Sequence, residues 1–239
     1  MKKNNEKMYK NKKIKENILS LDSSNKSCSV ALYTKKKIDY IFDKCKNNYE
    51  EKIFPMIKKI IKRNRIKIND IKTISYSNGP GSFSGIRISS IIAKSFFINK
   101  KIKLLSISSL KIIAENCWKI SKKKKIIVLL QNKNNNFFYG KYYRNKYGIW
   151  IGKKSEKFIK FHKIIKKIVK KKNIVISGKF KKQKIQKELY KQKYKHKIYF
   201  FKINFPNAKY MINITKKMLK KYYFRNDIKS QPKYLIKIF

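Results

Sequence analysis

The sequence contains few arginines and few acidic residues. Its 239 residues include 12 acidic side chains against 65 lysines and arginines, which gives a formal net charge of +53. Only five of the basic residues are arginines, the side chains that bind phosphates and base edges in a bidentate manner. Lysine, isoleucine and asparagine, which share A- and T-rich codons, make up about half of the chain. We therefore attribute the charge to coding bias rather than to dedicated nucleic-acid recognition, although diffuse positive charge still attracts RNA weakly.

Cysteine and histidine are also scarce. Three cysteines without CxxC spacing indicate reduced thiols and a cytoplasmic protein. The two histidines, His162 and His196, lie far apart in the sequence and predict no metal site. No apolar run approaches the roughly 20 residues that span a membrane. Residues 1–16 lack the apolar stretch of a secretory signal, so we expect a disordered basic extension there.

The rest of the chain is typical of a folded α/β protein. Leucine, isoleucine, valine and phenylalanine exceed a quarter of the sequence, whereas disordered chains usually fall below roughly 20%. Each half begins with a β-hairpin pattern and continues with alternating helices and strands. This order predicts two lobes with mixed sheets flanked by helices. A lysine run at 122–125 marks the expected boundary between a first lobe, residues 17–121, and a second lobe, residues 122–239.

The first lobe contains two helix patterns with apolar faces. In residues 49–64, Ile53, Ile57 and Ile60 recur at helical spacing. The second pattern, residues 84–98, carries a stripe at positions i, i+3, i+4 and i+7, formed by Ile88, Ile91, Ile92 and Ser95. This second helix is apolar on several sides, so its own lobe cannot bury all of its apolar surface. We expect the remaining apolar side chains to form a patch that a partner covers.

The most informative motif is GPGSFSGIR, between a strand pattern and the second helix. It lacks both the Lys-Ser/Thr pair of a P-loop and the third glycine of a dinucleotide fingerprint. The motif indicates either a close helix–strand approach with Ser82 or Ser84 as N-cap, or a cradle of backbone N–H groups for an anion. Asp22, before the serines of the turn DSSNKS, is the best-placed carboxylate for chemistry or for turn hydrogen bonds.

Several segments resemble, in order, those of the TsaB (YeaZ) family. They are ILSLDSSNKSCSVALY, EKIFPMI, GPGSFSGIRISSIIAKSFF, ISSL, YGIW, FPNAKYM and QPKYL, and the resemblance covers residues 17–239. It implies a two-lobed actin-like ATPase fold and a non-catalytic subunit that activates a TsaD-like threonylcarbamoyltransferase in tRNA modification. It also implies a TsaE-like ATPase as partner, indirect or weak contact with tRNA and no membrane contact. Whether the chain forms a homodimer without its partner stays open.

The resemblance also implies site assignments, with no catalytic residue and no metal ligand in this chain. Asp22, Ser23 and Ser24 take the position of a phosphate loop. The family's hallmark glycine loop comprises Gly79, Pro80, Gly81, Ser82, Phe83, Ser84, Gly85 and Arg87. The partner interface comprises Ile53, Ile57, Ile88, Ile91, Ile92 and Ser95. No cofactor is expected to bind tightly, and ATP or ADP at the subunit interface stays open.

The chain departs from the family at several positions. Tyr49 and Glu50 stand where the family usually has a His-Thr or His-Ser pair, and the second helix has fewer glycines. In the second lobe, an Asp-Ala-Arg segment is replaced by residues 131–133, so that Gln131 stands at the aspartate position. A neutral amide removes a hard anionic ligand from a Mg²⁺ site, which predicts no autonomous ATP hydrolysis. Two alternatives stay open: an autonomous actin-like ATPase or kinase, which Asp22 favours, and a basic RNA-binding protein. The sequence contains no HxxxH pair, which argues against a peptidase.

Overall fold

The computed structural model describes residues 16–45, 48–96, 102–132, 135–220 and 235. The described chain divides into two compact units, residues 16–107 with 207–220, and residues 108–206. The strands are β1 (Asn17–Asn25), β2 (Ser27–Thr34), β3 (Lys37–Lys44), β4 (Ile71–Ser77), β5 (Lys103–Ile107), β6 (Lys125–Gln131), β7 (Asn136–Arg144), β8 (Trp150–Ile151), β9 (Lys157–Lys160), β10 (Ile174–Lys179) and β11 (Ile198–Lys202). The helices are α1 (Tyr49–Arg63), α2 (Phe83–Ser95), α3 (Ser109–Ser121), α4 (Phe161–Val169), α5 (Lys182–Lys191) and α6 (Ala208–Lys220).

The first unit contains a five-stranded mixed sheet in the order β3-β2-β1-β4-β5. Strands β1 to β3 form an antiparallel meander, whereas β4 and β5 run parallel to β1. Side chains alternate between the two faces of β1. Leu19 and Leu21 face a core shared with α1 and α2, while Ile18 packs with Ala208 and Ile212 of α6. The carboxyl ends of β1, β4 and β5 therefore meet at one edge, where the glycine motif follows β4.

The second unit contains a sheet in the order β11-β10-β6-β7-β8, with β9 paired to β7. Strands β6, β10 and β11 are parallel, and β7 is antiparallel to β6. Its core combines strand residues with Ile164, Ile165 and Ile168 of α4 and with Ile185 and Leu189 of α5. The predicted class is confirmed: an α/β protein with mixed sheets flanked by helices. Within the described residues, no helix is long and apolar enough to cross a bilayer.

The structure differs from the sequence-based boundary and from one predicted element. The first unit ends at Ile107 rather than at residue 121, and α6 returns to it, where the Ala208 N–H donates to Ser29 Oγ at 2.9 Å. The apolar spacing of residues 157–171 predicts one continuous helix, but Lys157–Lys160 is strand β9. Its pairing with β7, which sets Phe158 opposite Phe138, overrides the helical periodicity. The predicted basic extension lies almost wholly outside the described residues.

Candidate functional site

The glycine loop connects β4 to α2 at the carboxyl edge of the first sheet. Helix α2 begins at Phe83, and Ser82 Oγ accepts a hydrogen bond from the Gly85 N–H at 3.5 Å. This bond satisfies one of the donors that a helix leaves free at its first turn, and it confirms the predicted N-cap at Ser82. Gly79 has a φ of 93°, in the left-handed region that favours glycine.

Two glycines bring the loop into direct backbone contact with the end of β1. A Cβ at Gly81 would lie 1.8 Å from the Ser24 carbonyl oxygen, and one at Gly85 would lie 1.9 Å from the Ser23 carbonyl oxygen. Hydrogen bonds close the same contact: the Ser82 N–H donates to Ser24 O at 2.7 Å, and Ser23 Oγ donates to Gly85 O at 2.7 Å. The glycines therefore permit a close strand–helix approach, as the structural interpretation of the motif predicts.

The same contacts argue against the predicted phosphate loop at Asp22, Ser23 and Ser24. All three residues are fully buried. The Ser23 hydroxyl is bonded to Gly85 O, and the Ser24 hydroxyl donates to Asp22 Oδ1 at 2.7 Å. As the structure stands, these two hydroxyls are buried and bonded within the fold rather than free for a phosphate. Residue types show which hydroxyls are present but not where they are already bonded.

Asp22 is fully buried and accepts hydrogen bonds from Ser24 within the fold. Burial raises the pKa of Asp22, while hydrogen bonds from Ser77 and Ser24 act in the opposite direction. A carboxyl whose charged form is disfavoured by desolvation is a poor ligand for a hard cation unless further anionic ligands surround the ion. Among the described residues, no group of three His, Cys, Asp or Glu side chains could hold a metal ion.

The hairpin between β6 and β7 adds no acidic group. Gln131 is the last residue of β6, and the Asn132 N–H donates to Asn136 O at 2.8 Å across the turn. Lys133 lies outside the described residues. Gln131, Asn132 and Asn136 are neutral side chains, and Gln131 stands where the family usually has an aspartate.

The predicted partner interface is divided between core and surface. Ile53, Ile57 and Ile92 belong to the buried core between the sheet and its two helices. Their assignment to the interface is wrong, because the apolar stripe of each helix is the side that packs on its own sheet. Ile88 is half-buried against that core, whereas Ser95 is exposed and Ile91 has 64% of its surface accessible.

The surface of α1 and α2 carries further apolar side chains that the sequence patterns did not identify. Phe54 on α1 is 48% exposed and Phe83 at the start of α2 is 41% exposed. The Arg87 guanidinium lies 3.8 Å from the centre of the Phe83 ring, a stacked cation–π contact. Phe54 directly follows the buried Ile53, and this position off the core stripe is the signal that could have identified it. We call Phe54, Phe83, Arg87 and Ile91 the helix face.

A second missed feature is a buried charged cluster in the second unit. Glu115 on α3 is fully buried, accepts a hydrogen bond from Trp150 Nε1 at 2.7 Å and lies 3.7 Å from Arg144 Nε. The Arg144 guanidinium stacks 3.5 Å above the Trp118 ring. Burial raises the pKa of Glu115, opposed by the Trp150 N–H and by the Arg144 charge. The partners are far apart in sequence and come from different elements, so no local pattern indicates the cluster, whose role is to join α3 to β7 and β8.

Comparisons with known proteins agree on one family. Residues 43–226 match the family described as TsaD: tRNA N6-adenosine threonylcarbamoyltransferase. The chain is 41% identical over 197 residues to the tRNA threonylcarbamoyladenosine biosynthesis protein TsaB of Buchnera aphidicola subsp. Schizaphis graminum, covering 82% of this chain and 90% of the relative. It is 27% identical over 143 residues to the protein of the same name from Escherichia coli (strain K12), covering 60% of this chain and 62% of that one.

A solved structure shows the same fold. The structure of YeaZ from Pseudomonas aeruginosa superposes with a TM-score of 0.76 at 16% sequence identity, covering 92% of this chain and 100% of the other. At this identity the likeness shows the fold alone.

Proposed function

Since the chain belongs to the TsaB family of tRNA threonylcarbamoyladenosine biosynthesis proteins, we propose that it acts in that pathway as a non-catalytic subunit. In this proposal it binds and activates a TsaD-like threonylcarbamoyltransferase, and a TsaE-like ATPase acts with the pair. The observation that carries the proposal is the contrast between the glycine loop and the helix face. The serine hydroxyls beside the loop are bonded within the fold, whereas the adjoining helices expose apolar and stacked side chains.

The helix face has the composition of a protein-binding surface. Interface centres are enriched in aromatic residues and arginine and depleted of other charged residues. Phe54, Phe83 and Ile91 supply exposed apolar area, and the stacked Arg87 supplies a guanidinium held in place by the Phe83 ring. A single exposed apolar residue is ordinary, but several on two neighbouring helices favour a covered surface. We therefore propose that the TsaD-like subunit binds to the helix face.

Co-expression tests the association directly. We expect the chain and a TsaD-like protein of the same organism to elute together in size-exclusion chromatography, at a volume distinct from either protein alone. The chain should stay with its partner when ATP is omitted, because the proposed contact is apolar. Separate elution of two folded proteins would contradict the proposal.

The isolated chain is expected to show no ATP hydrolysis above background. Asp22 is buried with a raised pKa, the neighbouring hydroxyls are bonded within the fold, and Gln131 supplies no charge. Any ATP or ADP in the complex would then be held largely by partner residues. The measurement is phosphate release from Mg·ATP, with Asp22→Asn as the matched variant. Steady turnover that disappears in Asp22→Asn would refute a non-catalytic role.

A further inference from the structure

One cleft of the second unit is lined by lysines around an apolar floor. Its volume is about 590 Å³. The lysines are Lys125, Lys141, Lys170, Lys171 and Lys172, and the floor includes Ile126, Ile127, Tyr142 and Val175. We call this the lysine cleft. No acidic residue is among the described residues that line it.

The topology of the sheet assembles these lysines from distant parts of the sequence. Strands β6, β10 and β11 are parallel neighbours, so the segments that precede them lie along one edge. Each of these segments is rich in lysine: 122–125 before β6, 170–172 before β10 and 193–197 before β11. The antiparallel strand β7 brings Lys141 and Tyr143 to the same edge from its carboxyl end. Three separate runs thus form one basic surface.

Two of these runs meet beside Tyr199 of β11, where the ammonium groups of Lys123 and Lys197 lie 5.5 Å and 5.3 Å from the centre of its ring. Tyr199 is not among the residues that line the cleft. Tyr143 lines it and is 50% exposed. Lysines interleaved with aromatic rings are typical of surfaces that follow a single-stranded nucleic-acid backbone and stack its bases.

The lysine cleft holds like charges close together on a fixed backbone. The Lys171 charge is the main cause that lowers the pKa of Lys141, and burial lowers it further. The Lys141 N–H donates to Ser155 Oγ at 2.8 Å, and that hydroxyl lies 2.8 Å from the Lys141 carbonyl. These bonds fix the backbone from which the Lys141 side chain extends. A bound polyanion would relieve the repulsion between the two ammonium groups.

The acidic residues of the second unit do not supply that counter-charge. Within residues 108–132 and 135–206 they are Glu115, Glu156 and Glu188. Glu115 pairs with Arg144, Glu156 accepts a hydrogen bond from the Tyr142 hydroxyl, and Glu188 pairs with Lys191. None of these three carboxylates is among the residues that line the lysine cleft.

We propose that the lysine cleft binds the phosphate backbone of RNA, with the exposed Tyr143 as a stacking platform at its margin. This goes beyond the proposed role as an activator, because it assigns RNA contact to this chain and to the unit that does not carry the helix face. Its test needs no partner protein, so its failure is distinct from failure of the proposed function.

The test is the binding of a labelled, unmodified tRNA transcript by fluorescence anisotropy at several salt concentrations. In the double variant Lys141→Glu/Lys171→Glu we expect affinity to fall about tenfold or more, and the slope of log affinity against log salt to decrease by about two, one for each lost phosphate contact. The matched control is Lys179→Glu/Lys181→Glu. It makes the same change in formal charge at the carboxyl end of β10, at the opposite edge of the sheet, where both lysines are exposed.

Each outcome decides the proposal. If only the cleft double variant, Lys141→Glu/Lys171→Glu, loses affinity for the transcript, the proposal is supported. If the control double variant loses as much affinity, the attraction is diffuse and the proposal is wrong. If the cleft double still binds the transcript but loses binding of Mg·ATP, the cleft is a nucleotide site and the proposal is wrong. If circular dichroism shows that the cleft double variant does not fold, the neutral variant Lys141→Gln/Lys171→Gln replaces it in the test. We expect the same decrease in the slope of log affinity against log salt.

Discussion

Replacing Ile91 by aspartate is expected to abolish association with the TsaD-like partner and, with it, tRNA modification. Ile91 is 64% exposed on α2, so the substitution leaves the core of the first unit intact. An unpaired charge in a desolvated interface costs several kcal/mol. A loss of about 3 kcal/mol corresponds to more than a hundredfold in affinity. The measurement is the dissociation constant by isothermal titration, together with the yield of modified tRNA.

Two controls separate an interface effect from a general one. Tyr190→Asp removes a side chain that is 86% exposed on α5 of the second unit, and Lys166→Asp changes charge on the exposed side of α4. Both variants should bind the partner as the unsubstituted chain does. If Ile91→Asp remained folded by circular dichroism and bound the partner with unchanged affinity, α2 would not be the docking helix.

Gly85→Ala is expected to destabilise the first unit, although alanine is normally the better helix former. In an ordinary helix interior this change would stabilise by roughly 1 kcal/mol. Here the new Cβ would lie 1.9 Å from the Ser23 carbonyl oxygen and 3.2 Å from the Tyr49 ring. Backbone must shift, and the hydrogen bond from Ser23 Oγ to Gly85 O is lost or lengthened. Overpacking and the lost bond together predict about 3 kcal/mol, or a thermal midpoint lower by roughly 10 °C.

The neighbouring position supplies the control for this glycine. Ser84 lies in the same first turn of α2 and is exposed, so Ser84→Ala should change the thermal midpoint by no more than a few degrees. Differential scanning calorimetry of the two variants measures the contrast. A Gly85→Ala protein as stable as the unsubstituted chain would show that the loop does not require the close approach to β1.

The hairpin, the glycine loop and its helix cap could be predicted because local chemistry determines them. Three signals are each visible within a few residues of sequence: the apolar runs on either side of the turn DSSNKS, the stripe of Ile53, Ile57 and Ile60, and Ser82 before the second helix. The same stripe misled the interface prediction, because an apolar periodicity shows which side of a helix is buried but not what buries it. In both helices the helix's own sheet takes that side.

Features that depend on long-range pairing could not be predicted. Strand β9 forms because residues 157–160 pair with β7, which sets Phe158 opposite Phe138. Helix α6 packs on the first unit through a hydrogen bond to Ser29 Oγ and apolar contacts with β1. Glu115 meets Arg144 and Trp150 only after three elements have packed. The lysine cleft forms because the order of the strands places lysines from distant segments side by side. No local segment of the sequence specifies that order.

The most direct test of an activating, non-catalytic role is reconstitution of tRNA threonylcarbamoylation with purified components, each omitted in turn. The assay measures threonylcarbamoyladenosine in a tRNA transcript supplied with the activated threonylcarbamoyl donor. We predict modification only when this chain and the TsaD-like enzyme are both present, and none with this chain alone. Equal modification by the TsaD-like enzyme without this chain, or modification by this chain without that enzyme, would contradict the account.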